Sequence, residues 1–215
     1  MEYPKIETLF ARDENFNVTT ELKNPVFGII KKWQVTEKID GMNIRIMFGD
    51  DGKLQLSGRT DNAQLPGDLV KYLYETISLE KMKEMFWKEG QPCRVILYGE
   101  GYGGKIQKMG NNYGKDKRFR LFDVLVDKYW LNWENVCKIA ESLQIKTAPY
   151  LGDFTLDEIR EKVKIGIASV VAKEENGCDF VSEGIVGRTV EPLFDKRGNR
   201  LILKLKTRDF NGGKP

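Results

Sequence analysis

The alternation of apolar and polar residues predicts strands along much of the chain. Residues 33–48 are rich in β-branched and apolar side chains, a Gly-Asp-Asp-Gly turn follows, and residues 53–57 alternate, which together predict a β-hairpin. Further strands are predicted at residues 94–100, 119–126, 179–188 and 200–206. Period two in the last of these places three leucines on one face and Lys204 and Lys206 on the other.

Apolar residues recur at helical spacing in residues 68–87, 133–143 and 155–164, and a break near Ser78 divides the first segment into two helices. Strands and helices follow one another in no regular order, which predicts an α+β fold of mostly antiparallel sheets flanked by helices. One domain is expected over residues 1–210. The last residues, 211–215, have the sequence NGGKP and are expected to form a disordered tail.

The composition narrows the chemistry that the chain can perform. It contains no histidine, which excludes Ser-His-Asp and Cys-His catalytic groups and histidine-ligated metals. Its three cysteines lie more than forty residues apart, so buried thiols are expected and a zinc site or disulfide framework is not. Chemistry must therefore use Lys, Asp, Glu, Arg and main-chain groups, and a metal would be a hard cation held by oxygen.

The sequence also bears on location. No stretch approaches 18 apolar residues, and the start MEYPKIETLF lacks the basic residues and apolar centre of a signal peptide. We therefore expect an intracellular, cytoplasmic protein with no membrane partner.

The distribution of charge is more informative than the net charge of +3. Residues 196–208 contain six basic residues and no acidic one, and residues 105–120 contain six basic residues and one acidic one. Each run alone is typical of a solvated surface. Two such runs on predicted strands favour a groove that binds phosphates.

Lys38 is the residue best placed for nucleophilic chemistry, because it lies on a half-buried predicted strand and is followed by Ile39, Asp40 and Gly41. A lysine attacks only when its amine is unprotonated, and neighbouring cations or loss of solvent favour that state. Lys204 and Lys206 would supply the cations if the two strands meet. On these four residues alone, an ordinary surface lysine is the simpler interpretation.

Five short segments in order resemble the covalent nucleotidyltransferase superfamily of DNA ligases, RNA ligases and mRNA capping enzymes. The matching segments are Lys38-Ile39-Asp40-Gly41, Leu97-Tyr98-Gly99-Glu100, Phe122-Asp123, Glu183-Gly184-Ile185-Val186 and Leu203-Lys204-Leu205-Lys206, which resemble motifs I, III, IIIa, IV and V. The ordered set spans about four fifths of the chain. The resemblance implies an ATP-grasp-like nucleotidyltransferase core.

The resemblance implies catalytic roles for three lysines. Lys38 would form the phosphoramidate to AMP, and Lys204 and Lys206 would reach the α-phosphate of the bound nucleotide. Glu183 would serve the metal and the phosphate, and Ile39 would contact the nucleotide.

At other positions the residue types resemble those of one branch of the superfamily. This branch comprises the phage-type RNA ligases that seal nicked double-stranded RNA and the related RNA-editing ligases. Asn43 stands where DNA ligases usually carry arginine, and it is implied to contact nucleic acid. Glu37 stands where that branch has an adenine-contacting glutamate, and Arg59 resembles an arginine that binds near the ribose and phosphate. Glu100 would contact the ribose, and Phe122 would stack on the purine.

The resemblance implies an ATP-dependent RNA ligase that joins 3′-hydroxyl and 5′-phosphate ends through lysyl-AMP and an adenylylated 5′ end. ATP, bound as covalent AMP, would be the nucleotide, with Mg²⁺ as the metal and Mn²⁺ as its substitute. RNA ends are favoured over DNA ends. Nine residues follow Lys206, where most members carry an OB or helical domain. No such domain is expected within this chain, which is either a naturally minimal ligase or an excised catalytic domain, and a partner protein could take over the grip on the duplex.

Three alternatives stay open. A DNA ligase core or a GTP-dependent capping enzyme belongs to the same superfamily, although Asn43 and Glu37 disfavour them. A kinase-like enzyme is suggested by the glycine-rich residues 99–104, but no HRD or DFG element follows. A nucleic-acid-binding module would use the two basic runs and would not need Lys38.

Overall fold

The protein's structure, a computed structural model, describes residues 1–15, 17–88 and 91–210. Strands and helices are mixed along the chain, and the strand pairs are mostly antiparallel, which confirms the predicted α+β fold. The tail predicted at residues 211–215 lies outside the described residues.

The elements of the described chain have the following bounds. The strands are β1 (Glu7–Thr8), β2 (Phe10–Arg12), β3 (Val18–Leu22), β4 (Trp33–Lys38), β5 (Met42–Phe48), β6 (Leu54–Ser57), β7 (Trp87–Lys88), β8 (Gln91–Pro92), β9 (Val95–Tyr102), β10 (Arg118–Val126), β11 (Tyr129–Trp130), β12 (Tyr150–Phe154), β13 (Gly184–Arg188) and β14 (Ile202–Lys206). The helices are α1 (Gly67–Thr76), α2 (Leu79–Phe86), α3 (Trp133–Leu143), α4 (Leu156–Ile165) and α5 (Val170–Asn176).

The described chain forms two compact units. Unit 1 comprises Met1–Tyr3 and Asp40–Ala148, and unit 2 comprises Pro4–Ile39 and the residues from Pro149 onward. The single domain expected over residues 1–210 stays a prediction.

Unit 1 is built on an antiparallel sheet with the strand order β11-β10-β9-β5-β6. The predicted hairpin is confirmed as β5 and β6, and β9 is the central strand. The predicted break near Ser78 is also confirmed, because its side chain accepts a hydrogen bond from the main-chain amide of Lys81 and caps α2.

A β-bulge interrupts the pairing of β10 with β9. The register shifts between Leu121 and Asp123, so Phe122 lies at the bulge. A bulge of this kind changes the direction of a side chain relative to regular alternation. The ring of Phe122 is half-buried at this position.

Unit 2 is built on a second sheet, with the order β1-β14-β13-β4-β12. The pairing of β1 with β14 is parallel, and the other pairs of this sheet are antiparallel. One face packs into an apolar core that includes Trp33, Val35, Ile185, Leu203 and Leu205. The predicted alternation in β14 is confirmed, since its leucines are buried in that core and its lysines lie on the other face.

Two predicted strands have other bounds. The segment 33–48 is not one strand, because the chain bends at Asp40 and Gly41 and continues in the other sheet. The strand predicted at 179–188 begins at Gly184. The residues before it pair instead with the segment that leads into α5, through bonds from Ser169 N to Phe180 O and from Ser182 N to Ile167 O.

The expectation that the cysteines are buried was wrong for Cys93, which is exposed, while Cys137 and Cys178 are half-buried. All three are free thiols. Cys93 follows the short strand β8, where no apolar pattern requires burial. Among the described residues, no helix is long and apolar enough to cross a membrane.

Candidate active site

Unit 2 gathers Lys38, Glu183 and Lys206 into a charged cluster. One carboxylate oxygen of Glu183, Oε2, lies 2.6 Å from Nζ of Lys38, and the other, Oε1, lies 2.5 Å from Nζ of Lys206. The three side chains are only 17–20% exposed. The two lysines are 168 positions apart in the chain, so the sheet topology alone brings them to one carboxylate.

The strand register explains this arrangement. Gly184 on β13 pairs with Lys206 on one side and with Lys38 on the other. Residues that pair directly in antiparallel strands project from the same face, so the two lysines flank a residue that has no side chain. Gly184 has a φ of +150°, and a Cβ atom there would lie 2.1 Å from the carbonyl oxygen of Leu205. Glycine is therefore required at the centre of this row.

Lys204 places a third ammonium group on the same face of the sheet. It lies two residues before Lys206 on β14 and pairs with Val186 of β13. Burial and, after it, the positive charges of Lys206 and Lys38 lower the pKa of Lys204, against an opposing effect of Glu183. Burial would raise the pKa of Glu183, but Lys38 and Lys206 outweigh that effect and lower it. The site therefore favours an ionised carboxylate and disfavours a third cation.

Glu37 lies on the opposite face of β4 from Lys38. It pairs with Ile185 of the apolar core and is 2% exposed. Its Oε1 accepts a hydrogen bond from Oγ of Ser169 at 2.5 Å, and its Oε2 accepts from the amides of Val170 and Val171 at 2.8 and 3.2 Å. The carboxylate thus anchors the start of α5. Its predicted contact with adenine stays a prediction.

Ile39, the other nucleotide contact expected in unit 2, follows Lys38 directly and is buried. An apolar cavity of about 380 Å³ also belongs to this unit, between the sheet and α4. Val35 and Ile185 line it, so it opens on the face opposite Lys38. The charged cluster and this cavity are separate features of one sheet.

Unit 1 contains the remaining predicted residues. Asn43 on β5 and Arg120 on β10 both pair with Glu100 on β9, so these three residues form one cross-strand row. The side-chain oxygen of Asn43 is buried and has no hydrogen-bond partner among the described residues. Phe122 is half-buried at the bulge, and Arg59 is exposed after β6.

Arg45 is a buried residue near Arg59 that sequence analysis did not single out. Its buried guanidinium donates from Nε to the carbonyl oxygen of Gly58 and from Nη2 to Asp61, both at 2.7 Å. These two bonds hold Gly58, which precedes the exposed Arg59 in the chain, and Asp61, which follows it. Its position two residues after Asn43, and therefore on the same face of β5, could have drawn attention to it. Its hydrogen-bond partners could not be predicted from the sequence.

Arg188 is a second missed residue. It is buried at the end of β13, on the face of the sheet that carries Lys38, and its Nη2 lies 3.5 Å from Oγ1 of Thr36. The sequence signal that could have identified Arg188 is its position in a predicted strand, two residues after Val186.

The residues present fit a hydrated cation and not a cation enclosed by protein ligands. No group of three or more His, Cys, Asp or Glu side chains that could hold a metal occurs within residues 1–15, 17–88 and 91–210. Glu183 offers a single ionised carboxylate in the cluster. Mg²⁺ commonly binds in this way, through one or two carboxylates, substrate phosphates and several waters.

Comparison with known proteins identifies the family. The RNA ligase family model matches residues 31–206, so the chain belongs to the RNA ligase family. A search of the curated proteins finds no match.

Solved structures share the fold. A lysine-to-alanine variant of Naegleria gruberi RNA ligase, solved with ATP and Mn, superposes with a TM-score of 0.66 at 19% identity, over 99% of this chain and 64% of that one. An archaeal ATP-dependent RNA ligase gives a TM-score of 0.62 at 18% identity, over 97% of this chain and 49% of that one. The chain thus has the nucleotidyltransferase core of RNA ligases and spans less than two thirds of these relatives.

Replacing Glu37 by Gln is expected to destabilise unit 2. An amide offers one acceptor oxygen in place of two, so a buried donor of the Ser169–Val171 segment loses its partner, at a cost of about 1–3 kcal/mol. Urea unfolding measures the change, and Glu14→Gln, at an exposed position of the same unit, is the control. Equal unfolding midpoints for Glu37→Gln and the control would contradict the anchoring role.

Replacing Lys204 by Met is expected to stabilise the fold. Because the folded state lowers the pKa of Lys204, its ammonium is disfavoured at neutral pH, and this cost disappears as the pH rises toward 10.5. We expect a melting temperature higher by about 1–3 °C at pH 7 and a smaller gain at pH 10. Lys196→Met, at an exposed position, should show no such gain. A lower melting temperature for Lys204→Met at pH 7 would refute the electrostatic explanation.

Proposed function

We propose that the protein is an ATP-dependent RNA ligase that joins 3′-hydroxyl and 5′-phosphate ends through a lysyl-AMP intermediate. Family membership and the shared fold support this proposal. The observation that carries it is the cluster in which Lys38 and Lys206 share the carboxylate of Glu183 beside Lys204. An amine, two further cations and one carboxylate are the groups that nucleotidyl transfer to lysine requires.

In the first step, Nζ of Lys38 attacks the α-phosphorus of ATP. The ammonium of Lys38 first loses one proton to water. A phosphorus–nitrogen bond then forms as the bond to the pyrophosphate oxygen breaks, and the nitrogen loses a second proton and keeps one. Lys204 and Lys206 neutralise the negative charge that develops on the α-phosphate. Lys38 donates to Glu183 in the structure, so it must exchange that contact for the phosphate before it can attack.

The second and third steps return Lys38 to its starting state. An oxygen of the 5′-phosphate attacks the phosphorus of lysyl-AMP, the phosphorus–nitrogen bond breaks, and AMP is transferred to the 5′ end. A 3′-hydroxyl then attacks the 5′-phosphate, a phosphodiester forms and AMP leaves. Lys204 and Lys206 face the phosphate of AMP in both transfers, first onto Lys38 and then from Lys38 to the 5′ end.

Glu183 is the proposed metal ligand. Mg²⁺, or Mn²⁺ in its place, supplies positive charge to the phosphates when it is bound. Since Lys38 and Lys206 already compensate the charge of Glu183, the carboxylate can exchange one positive partner for another without being left buried and unpaired.

The other predicted residues are proposed to bind the nucleotide and the nucleic acid. Phe122 stacks on the purine, with a contribution of about 1–3 kcal/mol for such a contact. Glu100 contacts the ribose, Arg59 binds near the ribose and phosphate, and Ile39 contacts the nucleotide. Asn43 contacts the nucleic acid, and its buried unpartnered oxygen supports a ligand-binding role.

The substrate is proposed to be RNA in preference to DNA, as in the phage-type and RNA-editing ligases. The proposed setting is a cytoplasmic RNA-repair activity. The relatives of known structure extend well beyond the part that matches this chain. We propose that sealing, unlike adenylylation, needs a duplex-gripping element in addition to the part that matches these relatives, and a partner protein is one proposed source of it.

Replacement of Lys38 is expected to abolish the covalent adduct. With labelled ATP and Mg²⁺, the wild-type protein should carry a label that survives denaturing electrophoresis and is released by pyrophosphate. Lys38→Arg retains a cation beside Glu183 but removes the nucleophile, and it should carry no label. Lys164→Ala, which changes an exposed lysine of unit 2 outside both basic runs, should be labelled at the wild-type rate.

A labelled Lys38→Arg protein would refute the assignment of the nucleophile, and an unlabelled wild-type protein would refute the proposed function. Offering GTP in place of ATP tests the capping-enzyme alternative. Nicked RNA and nicked DNA, offered in parallel to the adenylylated protein, test the substrate preference.

A further inference from the structure

Tyr3 occupies the centre of an aromatic cluster in unit 1. Its ring centroid lies 5.0 Å from that of Tyr98, 5.1 Å from that of Phe122 and 5.6 Å from that of Trp130. Tyr3 and Tyr98 are buried, whereas Phe122 is half-buried. Phe122 thus combines a contact with the buried Tyr3 with a partly accessible ring.

The contact of Tyr3 with Phe122 is directional. The two rings meet edge to face, with an interplanar angle of 75°. Such aromatic pairs prefer defined geometries because the edge of one ring is positive and the face of the other is negative. Phe122 lies at the bulge, where the direction of a side chain departs from regular alternation, and the contact with Tyr3 constrains its ring plane there.

Tyr3 is itself held on two sides. Its hydroxyl donates to Oδ2 of Asp123 at 2.7 Å, and this bond is buried. The hydroxyl of Tyr98 donates to the carbonyl oxygen of Met1 at 3.0 Å and ties the same segment to β9. Burial raises the pKa of Tyr98 to about 12, so its hydroxyl keeps the proton that it donates at neutral pH. The hydrogen bond to Asp123 links Tyr3 to the residue that follows Phe122.

We propose that Tyr3 is a positioning residue that orients Phe122 for stacking on the purine of the nucleotide and so contributes to base recognition. This inference rests on the proposed function, because it requires that Phe122 contacts the base. Tyr3 acts through Phe122 and does not touch the nucleotide. Removal of its ring should therefore weaken binding of a nucleotide but not of its phosphates alone.

The test uses two probes and the otherwise unmodified chain. The nucleotide is α,β-methylene-ATP, which cannot transfer AMP to lysine, and the base-free probe is inorganic tripolyphosphate. Tyr3→Leu should raise the Kd for the nucleotide about threefold to tenfold, since an aromatic pair contributes at that level, and should leave the Kd for tripolyphosphate unchanged. Tyr3→Phe keeps the ring and loses the bond to Asp123, so a smaller increase is expected.

A double-mutant cycle separates positioning from a general loss of structure. If Tyr3 acts through Phe122, Tyr3→Leu should change nucleotide binding less than twofold in a Phe122→Leu background. Tyr129→Leu, which removes a 65% exposed tyrosine of the same unit, is the matched control and should bind both probes as the wild type does. Thermal unfolding of each variant shows which are folded, and Tyr3→Phe carries the test if Tyr3→Leu is not.

Three outcomes would overturn the inference. The first is a nucleotide Kd that Phe122→Leu raises and Tyr3→Leu leaves unchanged, and the second is a full effect of Tyr3→Leu that persists in the Phe122→Leu background. The third is that Tyr3→Leu weakens binding of the nucleotide and of tripolyphosphate equally. These outcomes leave the proposed function intact if the wild-type protein still forms the AMP adduct. Absence of that adduct would instead remove the proposed function on which the inference rests.

Discussion

The carboxylate that Lys38 and Lys206 share at Glu183 is the interaction on which the proposed chemistry of unit 2 depends. Three lysines on one half-buried face would repel one another, and the pKa of Lys204 is lowered partly for this reason. One carboxylate offsets part of this repulsion while leaving an excess of positive charge. Such a surface is stable without ligand and still complementary to a polyphosphate.

Several of these features could be predicted from the chain. The alternation in residues 200–206 assigned the lysines of β14 to one face and its leucines to the other, because that strand covers a core on one side only. The ordered short segments correctly indicated the family. Local periodicity sufficed where a strand or helix has one apolar face, as in α3 and α4.

Other features depend on contacts between distant parts of the chain and could not be predicted. No local pattern shows that Glu37 caps α5, because its donors lie more than 130 positions away. The same holds for Tyr3 and Asp123, which are 120 positions apart. The bend at Asp40 was missed because alternation continues on both sides of it, so periodicity alone could not show that the two strands enter different sheets.

The opposite orientations of Glu37 and Lys38 constrain how this strand can vary. Consecutive residues of a strand project to opposite faces, so a single-residue insertion between Trp33 and Lys38 would turn the amine toward the apolar core and the glutamate toward the face of the charged cluster. The position of Lys38 in the cluster therefore constrains the length of β4. The exposed connection between β13 and β14 is under no such restriction, since added residues there leave both strands in register. Variation in length among related chains should accordingly concentrate in that connection and spare β4.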